Sequence, residues 1–252
     1  MAKIALITGA TAGIGKSCAE LFAKQGYNLI LTGRRAGRLG PLAAKLAKDF
    51  NTISQTLTFD VRDKREVSEA LSALDAEWKQ VDVLINNAGL SLGLDALNQG
   101  NTDDWDIMID TNIKGLLYVT KIVSNWMIER HSGHIVNLGS IAGKETYANG
   151  NVYCATKHAV DSLNKAMRID LLPYGIKVTG IHPGAVETEF SEIRFKGDVD
   201  RAKKVYEGFV PLSAADIAET ILFVVSRPAH VNINDLIIMP TAQANTNHLK
   251  RS

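Results

Sequence analysis

Tyr153 and Lys157 stand four residues apart, and Ser140 precedes the tyrosine by thirteen. On a helix, an i, i+4 spacing puts two side chains on one face, within reach of a shared ligand. A tyrosine hydroxyl ordinarily titrates near 10. A nearby ammonium group favours the phenolate and pulls that value down. A tyrosine tuned in this way can pass a proton to or from a substrate oxygen near neutral pH. Ser140 follows the strand-like run His134-Ile135-Val136-Asn137-Leu138. At the carboxyl end of a strand its hydroxyl could hold the substrate oxygen beside the tyrosine. A lone Y-x-x-x-K is common and usually means a lysine packed along an aromatic ring, so its surroundings must carry the reading.

Those surroundings begin with Ile4 to Thr8, a short apolar run that reads as a buried parallel strand. The loop Gly9-Ala10-Thr11-Ala12-Gly13-Ile14-Gly15 follows, then a helical pattern from Lys16 to Lys24 and a second strand from Asn28 to Thr32. A glycine-rich loop between strand and helix suits a dinucleotide: the glycines admit the pyrophosphate and the helix N-terminus faces its charge. The second strand ends in Thr32-Gly33-Arg34-Arg35, where an NAD site would place an acidic residue. Guanidinium forks suit a 2′-phosphate, so the cofactor expected is NADP.

Further along, a helix is expected over 36–50, its start blurred by Gly40-Pro41, and a strand over 52–59. Asp60, next to Val61, could accept from an adenine amino group or cap a helix over 62–78. Val81 to Ile85 is a fourth strand leading into Asn86-Asn87-Ala88-Gly89, a turn aimed at the same cleft edge. One long helix is expected from Thr102 to Arg130. Asn112 lies inside it, an amide in apolar company that is either a satisfied buried group or part of a polar relay. A polar, glycine-rich loop spans 142–151, and the Tyr153 helix runs to about Leu172. A sixth strand over 176–181 leads to His182-Pro183-Gly184. The charged, aperiodic stretch 187–200 has the profile of a mobile lid or substrate loop. A helix over 213–226 with Ser213 as its N-cap, a last strand over 236–239 and a polar tail from Pro240 complete the chain. Alternating strands and helices without a linker predict one doubly wound α/β domain over 1–252. Within it, 185–210 is the expected substrate loop region and 240–252 the tail.

The bulk properties agree. Lys and Arg number 28 against 27 Asp and Glu, which leaves no broad basic field for nucleic acid. Two cysteines, Cys18 and Cys154, lack metal-ligand spacing and do not make a disulfide scaffold, so no metal is expected and a reducing compartment fits. No apolar run has membrane-spanning length, and residues 1–9 read as a first strand rather than a signal peptide. A cytoplasmic protein acting on a small molecule is expected, with no membrane and no nucleic-acid partner.

Thr8-Gly9-x-x-x-Gly13-x-Gly15, Asn86-Asn87-Ala88-Gly89, Ser140, Tyr153-x-x-x-Lys157 and Pro183-Gly184 together resemble the short-chain dehydrogenase/reductases along the whole chain. The resemblance implies a Rossmann-type sheet of about seven strands. It also implies hydride transfer between a nicotinamide cofactor and an alcohol or carbonyl. In that likeness Tyr153 is the general acid/base, and Lys157 binds the nicotinamide ribose and lowers the tyrosine pKa. Ser140 orients the substrate oxygen, and Asn112 holds a water of the proton relay. Gly9, Ala10, Thr11, Ala12, Gly13, Ile14, Arg34, Arg35, Asp60, Val61, Asn87, Pro183, Gly184 and Thr188 bind cofactor. Ala12 departs from many NADP-using relatives, which carry a basic residue there, and leaves the phosphate to Arg34 and Arg35.

The stretches 87–93, 150–153, 188–195 and 228–233 are similar to the NADP-dependent 3-hydroxy acid dehydrogenases, or serine 3-dehydrogenases. That likeness implies oxidation of L-serine, L-allo-threonine or 3-hydroxyisobutyrate, reduction of malonic semialdehyde in reverse, and a homotetramer. A small carboxylate substrate needs a cation in the cleft. Arg194 is the first candidate, with Lys144 and Lys196 behind it. Two other readings remain open: a reductase of larger ketones or 3-oxoacyl thioesters, and a cofactor-binding sensor without catalysis.

Overall fold

The computed structural model describes residues 2–252; the expectation for the N-terminal segment holds for these, and Met1 lies outside the described residues. Seven strands form one parallel sheet in the order β3-β2-β1-β4-β5-β6-β7: β1 (Ile4–Ile7), β2 (Asn28–Gly33), β3 (Ser54–Thr58), β4 (Val81–Asn86), β5 (His134–Leu138), β6 (Lys177–Pro183) and β7 (Asp235–Ile238). The central strands are near-continuous runs of Val, Ile and Leu because helices cover both faces. On one face Phe22, Leu39, Leu46, Ile217 and Ile221 pack from helices α1 (Gly13–Lys24), α2 (Ala36–Phe50) and α9 (Ala214–Val225). On the other Val67, Leu71, Val119, Val123, Met127 and Met167 pack from α3 (Lys64–Ser72), α5 (Leu116–Arg130) and α6 (Asn151–Leu171).

Strand order reverses between β1 and β4. A crevice opens at such a switch point, outside the carboxyl ends of the strands. The glycine loop, Arg34-Arg35, Asp60, Asn87, Ser140 and Pro183-Gly184 lie at those ends, and α6 brings Tyr153 and Lys157 to the same crevice.

Several elements differ from their sequence expectation. α1 begins at Gly13, within the glycine motif, not at Lys16. Its N-cap, Ala12, gives no side-chain cap and its first turn has no acidic residue, so no side chain competes for the first backbone N–H groups. The helix expected over 62–78 is only Lys64–Ser72. Asp63 caps it, accepting from the N–H groups of Arg65 and Glu66, so the capping role weighed for Asp60 is overturned. The long helix is α4 (Thr102–Ile109), a π-helical segment over Asp110–Gly115, and then α5. Gly115, the last residue of that segment, packs so closely on Val61 that a Cβ there would lie 2.7 Å from Val61 Cγ2. The lid stretch is not irregular throughout: it holds two short helices, α7 (Phe190–Arg194) and α8 (Val199–Lys204). The tail folds back on the chain, with an antiparallel bridge between Gln243 and Leu249 and hydrogen bonds from Ala185 N to Gln243 and from Thr246 N to Glu145.

Candidate active site

One cavity of about 680 Å³ runs from the dinucleotide loop to the substrate loop. Its walls include Gly9, Gly13, Arg34, Arg35, Asp60, Asn87, Ser140, Tyr153, Lys157, Gly184, Thr188 and Arg194. Of the predicted cofactor and catalytic residues, Ala10 and Asn112 stand behind the wall, both buried.

At the cofactor end, Gly9 and Gly13 take left-handed φ values of +68° and +49°, which disfavour any other residue. A Cβ on Gly13 would lie 3.3 Å from the Thr188 side chain, and one on Gly15 would lie 2.4 Å from the Gly9 carbonyl oxygen. The loop is therefore a tight backbone cradle before an uncapped helix N-terminus, which fits a dinucleotide pyrophosphate. Asn87 fastens the neighbouring turn, its Nδ2 donating to the carbonyl oxygens of Thr8 and Gly9 at 2.8 and 3.2 Å.

The adenosine end holds four arginines rather than two. Arg34 is half exposed and 3.7 Å from Asp60. Asp60 is gripped more closely by Arg62, at 2.7 Å, and hydrogen bonds from Arg62 together with both guanidinium charges hold its carboxyl low despite partial burial. Arg35 donates to Thr11 Oγ1 from Nε and Nη2, at 3.1 and 2.8 Å, and to Glu189 from Nη1, at 2.9 Å. Arg38 bonds the same glutamate at 2.8 Å. Sequence reading missed Arg38 and Glu189. An R-R-x-x-R run entering a helix was the signal available for the former.

At the catalytic end, α6 carries Tyr153 and Lys157 on its buried face. Ser140 lies beside Tyr153 and favours ionisation of its hydroxyl, while Ser140 Oγ accepts from Ala142 N at 3.1 Å and so shapes the turn after β5. Lys157 Nζ donates to the Leu138 carbonyl oxygen at 2.8 Å and lies 6.0 Å from the Tyr153 ring centre. Burial pushes the tyrosine up to about 12 and the lysine down to about 8. The expected lowering of the tyrosine by Lys157 is thus corrected. Burial dominates, the adjacent Tyr147 adds to it, and the groups that oppose it are Arg194 and Ser140. Cys154 is buried and its thiol is raised by that burial, which leaves it inert.

Arg194 reaches into the same space. Its guanidinium carbon lies 5.2 Å from the ring centres of both Tyr153 and Phe190. Nη2 donates to the Tyr147 hydroxyl at 3.0 Å, and the buried Nε has no partner among the described residues. A buried, unpartnered donor beside the tyrosine is what a small carboxylate would satisfy. Lys144 and Lys196 are brought elsewhere: Lys144 is paired with Asp161 at 2.5 Å and lies off the cavity wall, and Lys196 with Asp104 at 2.8 Å. The Lys144–Asp161 pair ties the turn after Ser140 to α6. Asp235 and the buried His182 extend that network, His182 Nε2 lying 3.0 Å from Asp235.

Asn112 sits in the π-helical segment. Its Oδ1 accepts from Leu90 N at 2.9 Å, and its Nδ2 donates to Leu90 O at 2.8 Å and to Thr156 Oγ1 at 3.0 Å. The amide is a satisfied buried group that pins the 87–90 turn against α6.

The parallel seven-stranded sheet and the Ser140, Tyr153 and Lys157 cluster at its carboxyl edge define a dinucleotide-dependent dehydrogenase. The family model for short chain dehydrogenase matches residues 3–198, and the chain belongs to that family of oxidoreductases, which act on CH–OH groups. It is 46% identical over 242 residues to the NADP-dependent 3-hydroxy acid dehydrogenase YdfG of Escherichia coli K12, 96% of each chain being covered. It is 43% identical over 239 residues to the serine 3-dehydrogenase of Rhizobium radiobacter, covering 95% of this chain and 94% of that one. Among solved structures, a closed form of serine dehydrogenase complexed with NADP+ superimposes with a TM-score of 0.92 at 44% identity, covering 99% of this chain and all of the other. Serine dehydrogenase from Escherichia coli follows at 0.83 and 41%, covering 96% and 99%.

Proposed function

We propose that this chain is an NADP-dependent dehydrogenase of small 3-hydroxy acids such as L-serine, L-allo-threonine and 3-hydroxyisobutyrate, and that it reduces malonic semialdehyde in reverse. The observation that carries the substrate class is Arg194, with its unpartnered buried Nε–H beside Tyr153. The dinucleotide loop would hold the pyrophosphate, Arg34 and Arg35 the 2′-phosphate, and Asn87, Lys157, Pro183, Gly184 and Thr188 the nicotinamide half. When bound, NADP supplies the hydride acceptor in oxidation and, reduced, the hydride donor in the reverse direction.

The chain's own residues manage the oxygen and its proton. Ser140 hydrogen-bonds the substrate oxygen and orients it toward Tyr153. Tyr153, raised by burial to about 12, is protonated at neutral pH, and in reduction it gives its proton to the oxygen that becomes the hydroxyl. That transfer leaves a phenolate, which Arg194 and Ser140 stabilise, and in oxidation the same phenolate takes the proton of the substrate hydroxyl. Lys157, buried and titrating near 8, exchanges the proton onward. A π-helical turn breaks the regular ladder around Asn112, and a carbonyl freed there would hold the relay water, since the Asn112 side chain is already engaged. Arg194 and Tyr147 grip the carboxylate and set the distance from carboxylate to hydroxyl.

A homotetramer belongs to this reading. Ile169 and Leu172 near the end of α6 and Ile237 on the edge strand β7 are more than half exposed, which is apolar surface a partner subunit could cover.

Arg194→Ala should slow turnover of L-serine and of an uncharged secondary alcohol alike through its effect on Tyr153, and should in addition raise KM for L-serine alone at least tenfold, the order expected when one charge-assisted hydrogen bond is lost. Equal loss on both substrates would remove the carboxylate role and favour the reductase of larger ketones.

A further inference from the structure

Glu189 begins the lid segment at the N-cap of α7, yet its side chain does not cap that helix. It leaves the lid and crosses the mouth of the groove. Oε2 accepts from Arg35 Nη1 at 2.9 Å, and Oε1 and Oε2 accept from Arg38 Nη1 at 2.8 and 3.1 Å. Arg35 is itself fastened to Thr11 of the dinucleotide loop through two further hydrogen bonds. Thr188, one residue before Glu189, sits directly over Gly13, as a Cβ added there shows by meeting the Thr188 side chain at 3.3 Å. Three segments far apart in the chain, the loop after β1, the start of α2 and the start of the lid, are thus closed into a ring around the cofactor groove. Five residues beyond Glu189, at the other end of α7, Arg194 meets Tyr147 and Tyr153, and its carbonyl oxygen accepts from Gly93 N at 3.0 Å.

We propose that Glu189 is a positioning residue that straps the groove: its carboxylate, shared by Arg35 and Arg38, ties the segment bearing Arg194 to the adenosine end, so that retention of the dinucleotide and placement of Arg194 are one event. A single exposed ion pair is weak, because water screens it. Here two guanidinium groups converge on one carboxylate, and one of them is already anchored by Thr11. Hydrogen bonds and charge from both arginines hold the Glu189 carboxyl below its ordinary range, so it stays ionised through the working pH range. The strap uses Arg35 Nη1 and Arg38, and leaves Arg34 free of the glutamate.

This inference rests on the reading of the groove as an NADP site, and the test separates the two. The probes are NADPH and NADH, and the readout is their release from the intact protein by stopped-flow fluorescence. Glu189→Gln and Arg38→Gln should each release both dinucleotides about three- to tenfold faster, the range expected for one or two half-exposed ion pairs. The double variant should be no faster than the worse single one, because both changes cut the same strap. KM for L-serine should rise in step while kcat does not fall, a split that general loosening of the fold would not give. Additive effects on release would overturn the strap. So would Glu189→Gln holding NADPH more tightly with NADH unchanged, which would make Glu189 a competitor of the 2′-phosphate. Arg34→Ala reports on the cofactor reading alone: equal loss of NADPH and NADH there would remove the phosphate assignment and leave the strap test standing.

Discussion

Burial raises the Tyr153 hydroxyl above its ordinary value, and two neighbours work against that rise: Arg194 through its charge, and Ser140 beside it. The same arginine that would hold a substrate carboxylate therefore also eases formation of the phenolate. Tyr153→Phe removes one oxygen from a packed ring and little else, so the variant should still bind NADPH. It should lose about a thousandfold or more of its turnover, within the range set by loss of a positioned acid/base together with the hydrogen bond it makes. NADPH fluorescence titration and steady-state rates check both halves; retained turnover would take Tyr153 out of the proton transfer. Ser140, Tyr153, Lys157 and the glycine cradle were legible because their spacing within the chain implies their chemistry. Glu189 was not, because its partners lie 151 and 154 residues away and nothing in a charged loop says which arginine it will meet. The direction of the Tyr153 shift was also illegible, since a pattern shows that an ammonium is near but not how deeply the hydroxyl is buried.

At the scale of elements, β5 and β6 place Ser140 and Pro183 side by side, and a buried histidine helps join them. His134 lies at the start of β5, its Nε2 2.8 Å from Thr179 Oγ1 of β6. Burial pushes its pKa down to about 3, with the Lys177 charge adding to the effect. The ordinary value is 6.5, so the unfolded chain takes up the proton first, and stability is lost as pH falls from about 6.5 toward 3. Denaturant midpoints measured across that range should fall more steeply for the wild type than for His134→Gln; parallel slopes would clear His134 of the effect. The alternation of strand and helix, and so the parallel sheet, could be read from apolar runs punctuated by glycine. The π-helical segment could not, because 3.6-residue periodicity runs almost undisturbed from Thr102 to Arg130 while the ladder inside it widens. Only the misplaced amide of Asn112 and the glycine at 115 marked the irregularity. The later start of α3 follows from its cap: Arg62 engages the Asp60 side chain, and Asp63 takes the helix start.

For the molecule as a whole, the segments that follow all seven strands line one continuous cavity at the carboxyl edge of the sheet. The lid and the folded-back tail close one side of that cavity: Gln243 accepts from Ala185 N at 2.8 Å, and Thr246 donates to Glu145. The tail's composition gave no sign of this. Exposed Ile169, Leu172 and Ile237 leave apolar surface outside the cavity, and sedimentation velocity should show a species of four 27.4 kDa chains; a monomer at micromolar concentration would contradict the tetramer. The central claim is the reaction itself, and absorbance at the nicotinamide band tests it most directly. NADP, with NAD in parallel, is added to the purified protein together with L-serine, L-allo-threonine or 3-hydroxyisobutyrate. The account predicts reduction of NADP by at least one of these acids and a clear preference for NADP over NAD. No turnover of any of them, alongside NADPH oxidation by a bulky ketone, would contradict the 3-hydroxy acid assignment and the role given to Arg194.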